Sequence, residues 1–163
     1  MPFKRRREGK TDYAQRLALL KSGKPRLVIR KSLRYITAQI IESDKKGDKV
    51  LVAATSRELK KLGWNFACDN LPAAYLTGLL IGKKSLGKNI NDIVLNSGLY
   101  TSVRGSRIYS VAKGSKDAGM NVAVDDEMLP NEERIKGSHI AAVEKFKNLP
   151  AEFEKIKGKI MGG

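Results

Sequence analysis

The sequence predicts an α/β fold built on a mixed sheet, and three observations lead to it. The hydrophobic period is two across residues 26–55. It changes to a helix apolar on most sides at 71–84. An apolar run at 90–95 then follows that helix, the order of a crossover to a parallel strand. With 163 residues, 41% of them hydrophobic and 30% charged, the chain suffices for one core with appended tails.

The elements follow in order. Residues 2–10 show no apolar period, and Lys4, Arg5, Arg6, Arg7 and Lys10 repel one another there, so this stretch is expected to stay irregular until an anion neutralises it. A helix follows, with Thr11 or Asp12 as its cap and Gln15 three residues after Asp12. Tyr13, Leu17 and Leu20 recur at i, i+4 and i+7, and Gly23 supplies the left-handed stop. From Pro25, Arg26–Arg30, Tyr35–Ile41 and Lys49–Thr55 read as strands. The link Lys31-Ser32-Leu33 and the turn Asp44-Lys45-Lys46-Gly47-Asp48 make them an antiparallel meander. Leu27 and Ile29 claim the core side of the first strand, so Arg26 and Arg30 are expected to project from the other face, free of internal ion pairs.

Ser56 starts a short helix that ends at Gly63. A long helix follows, capped by Asp69 or Asn70, with Pro72 in its first turn and Lys83 and Lys84 at its end. Ala73, Ala74, Leu76, Leu79, Leu80 and Ile81 predict burial against the sheet, with Gly78 and Gly82 allowing close approach to the strands. Ile90–Leu95 reads as a strand buried on both faces. Ser106 caps a helix over 107–119 that presents Ile108, Val111, Ala112 and Ser115, and Asn121–Val124 reads as a short fifth strand. Asp125, Asp126, Glu127, Glu132 and Glu133 form an acidic patch. Ser138 starts a helix through Phe146, and Pro150 separates a last amphipathic piece bearing Phe153, Ile156 and Ile160. The chain thus divides into a basic arm with a short helix (1–24), an α/β core (25–124), and an acidic loop with a helical extension (125–163).

Charge decides the class of partner. Lys and Arg number 32 against 17 Asp and Glu, a net charge of +15. Twelve of the basic residues lie in the first 34 (Lys4, Arg5, Arg6, Arg7, Lys10, Arg16, Lys21, Lys24, Arg26, Arg30, Lys31 and Arg34), opposed by Glu8 and Asp12 alone. Ten of the fifteen net charges therefore sit on one fifth of the chain, which calls for a polyanion.

Other chemistries are poorly supplied. One cysteine and one histidine, Cys68 and His139, exclude an internal disulfide and a Cys/His metal cluster. Cys68, between Trp64, Phe66 and Leu71, reads as a small buried hydrophobe, and His139 as a polar first-turn residue. Gly82–Asn89 has the spacing of a phosphate-binding loop, but Asn89 stands where Ser or Thr is needed and the segment closes a helix instead of opening one. The element order resembles the ribonuclease-H-like arrangement, whose nucleases hold two metal ions on strand carboxylates. Here Glu42 and Asp92 lie at strand ends, and no Ser/His/Asp triad is recognisable, so neither catalysis, a metal nor a cofactor is expected. The apolar stretch Leu71–Gly82 falls short of the roughly 20 residues that cross a bilayer, and no secretory signal is visible, so a cytosolic protein is expected.

Five blocks of the chain are more specific. KRRREGKTDYAQRLALLKSGKPRLVIRKS (Lys4–Ser32) resembles the N-terminal signature of the 5S-rRNA-binding protein of the large ribosomal subunit, the L-eighteen family in its archaeal and eukaryotic form. So do Tyr35–Trp64, Asn70–Lys84, Arg104–Gly119 and Leu129–Ile140, in family order. One departure is the stretch Asn96–Val103, where the family pattern places an acidic residue before the glycine. The resemblance implies a three-layer α/β/α translational-machinery fold and a non-catalytic protein that attaches 5S rRNA to the large subunit in the central protuberance. It also implies contacts with large-subunit rRNA and neighbouring ribosomal proteins.

The rRNA-binding residues expected from the charge pattern and the resemblance are the twelve cations above with Tyr35, Lys83, Lys84, Arg104 and Arg107. Tyr35, Tyr13 and Trp64 are candidates to stack on bases, although core packing is the favoured reading of Tyr13 and Trp64. The competing reading is a general basic DNA-binding or chromatin-type protein, for which no helix-turn-helix, zinc finger or basic zipper is visible.

Overall fold

The computed structural model describes residues 2–44 and 46–162. Among them, five strands form one sheet in the order β3-β2-β1-β4-β5: β1 (Arg26–Lys31), β2 (Ile36–Asp44), β3 (Gly47–Thr55), β4 (Asp92–Asn96) and β5 (Asn121–Val122). β1 holds the centre because it is covered on both faces, with Leu27, Val28 and Ile29 all buried. The expected meander forms. β1 and β2 pair antiparallel with Leu27 opposite Ile40, and β2 and β3 pair antiparallel with a register shift between Ile40 and Ile41. Gly47, at φ 138°, turns β2 into β3; Lys45 of that turn lies outside the described residues.

β4 joins β1 in parallel, with Leu27 opposite Leu95, and β5 joins β4 in parallel. β4 departs from the expected strand. It begins at Asp92, and Ile93 is buried while Val94 and Leu95 are half-buried, because its pairings with β1 and β5 are both short. β5 stops at Val122.

The helices are α1 (Lys4–Arg7), α2 (Tyr13–Lys21), α3 (Glu58–Leu62), α4 (Leu71–Leu86), α5 (Arg107–Asp117), α6 (Glu132–Lys136), α7 (Ser138–Ala141) and α8 (Leu149–Gly162). α1 and α2 lie on one face of the sheet and α4 and α5 on the other, giving three α/β/α layers. Asn70 caps α4 by accepting the Ala73 N–H at 2.9 Å. Ser56 caps nothing: it is wholly buried, and its Oγ accepts the Ile36 N–H at 2.9 Å, which ties β3 back to β2.

Gly78 and Gly82 serve a different contact from the one expected. A Cβ at Gly78 would lie 2.1 Å from the Val111 carbonyl oxygen, one at Gly82 would lie 2.5 Å from Ala118 Cβ, and one at Gly114 would lie 2.2 Å from the Tyr75 carbonyl oxygen. The close approach is therefore between α4 and α5. Ala74 and Ile81 occupy the part of α4 that joins the sheet core, which leaves the glycine ridge to the neighbouring helix.

A second apolar cluster lies on the far side of α4, where Leu149, Phe153, Ile156 and Ile160 of α8 meet Leu59, Trp64 and Leu76. Pro150 sits inside the first turn of α8, where its missing N–H costs nothing, and does not separate the helix. The helix expected from Ser138 to Phe146 breaks after Ala141. Val143 is extended, and a single 3-10 turn (Glu144–Phe146) brings Phe146 to 6.1 Å from the Phe66 ring.

Candidate nucleic-acid interface

The arm is more ordered than its composition suggests. α1 is fully exposed, yet Arg5 Nε donates to Thr11 Oγ1 at 2.9 Å, Lys10 meets Glu8 at 2.9 Å, and the Phe3 ring lies 5.0 Å from that of Tyr13. These contacts fold residues 3–10 back onto the start of α2, so Glu8 and the packing of the two rings offset its self-repulsion. Arg6 and Arg7 make no ion pair among the described residues. Asp12 caps α2 by accepting the N–H groups of Ala14 and Gln15.

None of the residues of α2 is buried, and Leu17 of the expected apolar stripe is 57% exposed. A polar link holds the helix to the sheet instead. Arg16 Nη2 and Arg26 Nη2 both donate to Asp48 Oδ1, at 2.9 and 3.0 Å. Burial pushes the Asp48 carboxyl upward, and the guanidinium groups of Arg26 and Arg16 outweigh it and hold the group below the usual carboxylate range.

This corrects the expectation for Arg26. It lies on the expected face of β1, but the side chain is 3% exposed and ion-paired, because Asp48 of β3 projects across β2 beneath α2. Arg30, on the same face, is exposed. It donates from Nη1 to the carbonyl oxygen of Ile29 and packs over Gly98, where a Cβ would come within 2.9 Å of its Nη1. The loop after β4 is shaped to allow this. Gly98 sits at φ +65°, and Asn96 Oδ1 accepts its N–H at 3.0 Å. Asn96 thereby supplies, without charge, the acceptor that an acidic residue near the glycine would supply.

Between the arm, α2, β1 and this loop opens a cleft of about 890 Å³. Arg5, Lys10, Arg16 and Arg30 contribute cations to its lining, and Tyr13 and Tyr100 contribute rings. Tyr100 donates its hydroxyl to the Lys31 carbonyl oxygen at 3.0 Å, while the Lys31 ammonium stands 4.8 Å from its ring centroid. At the β1–β2 tip, Leu33 is 95% exposed beside an exposed Arg34, and Tyr35 lies half-buried with the Arg57 guanidinium 4.6 Å from its ring centroid.

The remaining expected residues lie apart from the cleft. Lys21 is exposed at the end of α2, and Lys24 meets Asp92 at 3.6 Å. Lys83 donates to the Met161 carbonyl oxygen, and Lys84 to Ala53 and Glu58, so both tie α4 to its neighbours. Arg107 donates to the Asp69 carbonyl oxygen at 2.8 Å, and Arg104 is exposed on the loop before α5. Trp64 belongs to the core, its Nε1 donating to Ala67. Cys68 is buried, and burial raises its thiol pKa. His139 is exposed on α7. Asp48, Asn96, Gly98 and Tyr100 shape the site but carry no local pattern in the sequence beyond Asn96-Ser97-Gly98 closing an apolar run, which signals a turn.

Residues 1–94 match the family described as ribosomal large subunit proteins 60S L5, and 50S L18. The chain belongs to this family. The "Large ribosomal subunit protein uL18" of Methanococcus maripaludis is 54% identical to it over 140 residues, which cover 86% of this chain and 72% of that protein. For this family member, the matched residues take in the arm, α2, the meander and α4, and so most of the walls of the cleft. Among the described residues, no group of His, Cys, Asp and Glu could hold a metal ion, and no helix is long and apolar enough to cross a membrane.

Proposed function

We propose that the protein is a non-catalytic structural constituent of the large ribosomal subunit in the cytoplasm, that it binds 5S rRNA, and that it attaches that RNA to the subunit in the central protuberance. The observation that carries this reading is the grouping of the arm's cations with Arg16 and Arg30 around one open face of the sheet, in a chain of a ribosomal family. Phosphates fit such a face because it offers several guanidinium and ammonium groups against two carboxylates, Asp12, which is engaged as the cap of α2, and Asp48, which is shared by two arginines.

In this reading Lys4, Arg5, Arg6, Arg7, Lys10, Arg16, Lys21, Lys24, Arg30, Lys31, Arg34 and Tyr35 face the 5S rRNA. Arg26 supports the face from below. Arg104 and Arg107, with Lys83 and Lys84, meet large-subunit rRNA or neighbouring proteins from other sides. The arm (1–24), core (25–124) and extension (125–163) divide the work.

Sedimentation tests the attachment: the protein should travel with the large subunit and stay with 5S rRNA when salt strips other proteins away. A binding titration tests the recognition. If about six phosphates are neutralised, log K should fall against log salt with a slope near −4 to −5. Equal affinity for duplex DNA of the same length would support the general basic DNA-binding alternative in its place.

A further inference from the structure

Resting on the 5S rRNA reading, we propose that the cleft between the arm and the sheet receives a single unstacked nucleotide of that RNA. Its size is the first argument. A volume of about 890 Å³ lies within the roughly 300–1,000 Å³ of sites that enclose one small molecule, and is far too small for a duplex. The lining is the second. Val28 and Ile41 give the cleft an apolar part, Tyr13 and Tyr100 add aromatic side chains, and Arg5 and Arg30 add cations. A base needs the first two and its phosphates need the third. An unpaired base splayed from its strand is the part of an RNA that seeks aromatic and guanidinium planes.

Two details sharpen the fit. Asn96 is 9% exposed and spends its Oδ1 on the Gly98 N–H, so its NH2 is the donor it can offer to a base edge. Asp12 and Asp48 line the cleft too and would repel a phosphate if they stood alone, but the N–H groups of Ala14 and Gln15 hold the first and Arg16 and Arg26 the second, and with Arg5, Lys10 and Arg30 the cleft stays cationic. A free nucleotide shares this chemistry. The strand is favoured as the source because the cations extend beyond the cleft, to Arg6, Arg7 and Lys31.

The experiment pairs a partial filling of the cleft with removal of bases. Leu99 lines the cleft and is 57% exposed, so Leu99→Trp should fold, as a melting curve would verify. Full-length protein and 5S rRNA are titrated with a panel of RNAs, each abasic at one unpaired position. One abasic position is expected to weaken wild-type binding about 10- to 100-fold, the range of base–aromatic stacking. Leu99→Trp should weaken intact RNA similarly but leave the affinity for that one abasic RNA unchanged. Steep, salt-dependent 5S rRNA binding with every abasic RNA equivalent would overturn the cleft proposal and leave the 5S rRNA reading standing. Failure to bind 5S rRNA at all would overturn both. Displacement of the RNA by millimolar nucleoside monophosphates would assign the cleft to free nucleotides and overturn it for the strand.

Discussion

Arg26 and Asp48 meet at 3.0 Å across two strands, with the guanidinium almost wholly buried and the carboxylate 29% exposed. The pair is lopsided. Asp48 keeps some water and a second partner in Arg16, whereas Arg26 has exchanged its water for this contact. Removing Asp48 therefore strands a buried cation, whereas removing Arg26 leaves a carboxylate that still has Arg16 and some water.

Asp48→Asn should therefore destabilise the protein by about 1–3 kcal/mol, because it leaves a buried cation without its counter-charge. Arg16→Ala removes a more exposed partner and should cost less than about 1 kcal/mol. Urea unfolding of both variants checks the order.

Acid should reveal the same carboxylate. Its folded pKa is depressed, so its contribution is complete above the unfolded value of about 3.9 and is lost as pH falls through the lower folded value. Wild-type stability is expected to drop on titration below about pH 4 by more than that of Asp48→Asn. Parallel curves for the two proteins would show that Asp48 contributes nothing through its charge.

The two arginines of β1 should separate in their effects. Arg30→Ala is expected to weaken RNA binding while changing stability by no more than roughly 0.5 kcal/mol, as surface substitutions usually do. Arg26→Ala should lower stability first. Melting and binding measured on the same samples distinguish them.

The crossing of α4 and α5 should tolerate no methyl group. Gly78→Ala and Gly114→Ala drive a Cβ into backbone oxygens of the opposite helix, and each should cost about 1–3 kcal/mol or more, as overpacked cores do. Gly158→Ala is the control. It lies in α8 with open space around it, so helix propensity alone should stabilise it by about 0.5–1 kcal/mol.

Deletion of residues 2–10 should leave a cooperative melt, since none of that stretch is buried. It should also reduce the salt slope of RNA binding by about one for each phosphate that the arm neutralises. Circular dichroism with a salt titration decides it.

The mixed sheet was legible because its signals are local. The β-rich run Leu27-Val28-Ile29 between two arginines announces a strand, and Asn70 with Pro72 announces a helix start, so propensity and packing agree there. What escaped depends on partners distant in sequence. Arg26 looks like a surface residue until Asp48, 22 positions later, arrives beside it. Gly78 reads as a close approach without saying to what, and Val111 answers from another helix. The short turn at Glu144–Phe146 answers to Phe66 rather than to its own helical pattern. The cleft was invisible for the same reason, since its walls come from the arm, β1 and the loop after β4.

The strand order also bears on how the chain is made. β1 is synthesised first and ends at the centre, and β2 and β3 are complete by Thr55, yet the second edge of β1 finds its partner only when β4 appears at Asp92. At about 5–20 residues per second, that leaves the edge bare for roughly two to seven seconds of synthesis. A nascent sheet with an open apolar edge invites pairing with other chains, and charged side chains along the edge are the usual deterrent. Arg26 is taken up by Asp48 as soon as β3 forms, so Arg30, exposed, and Lys31, half-buried, are the charges this strand still offers against such pairing before any RNA is met.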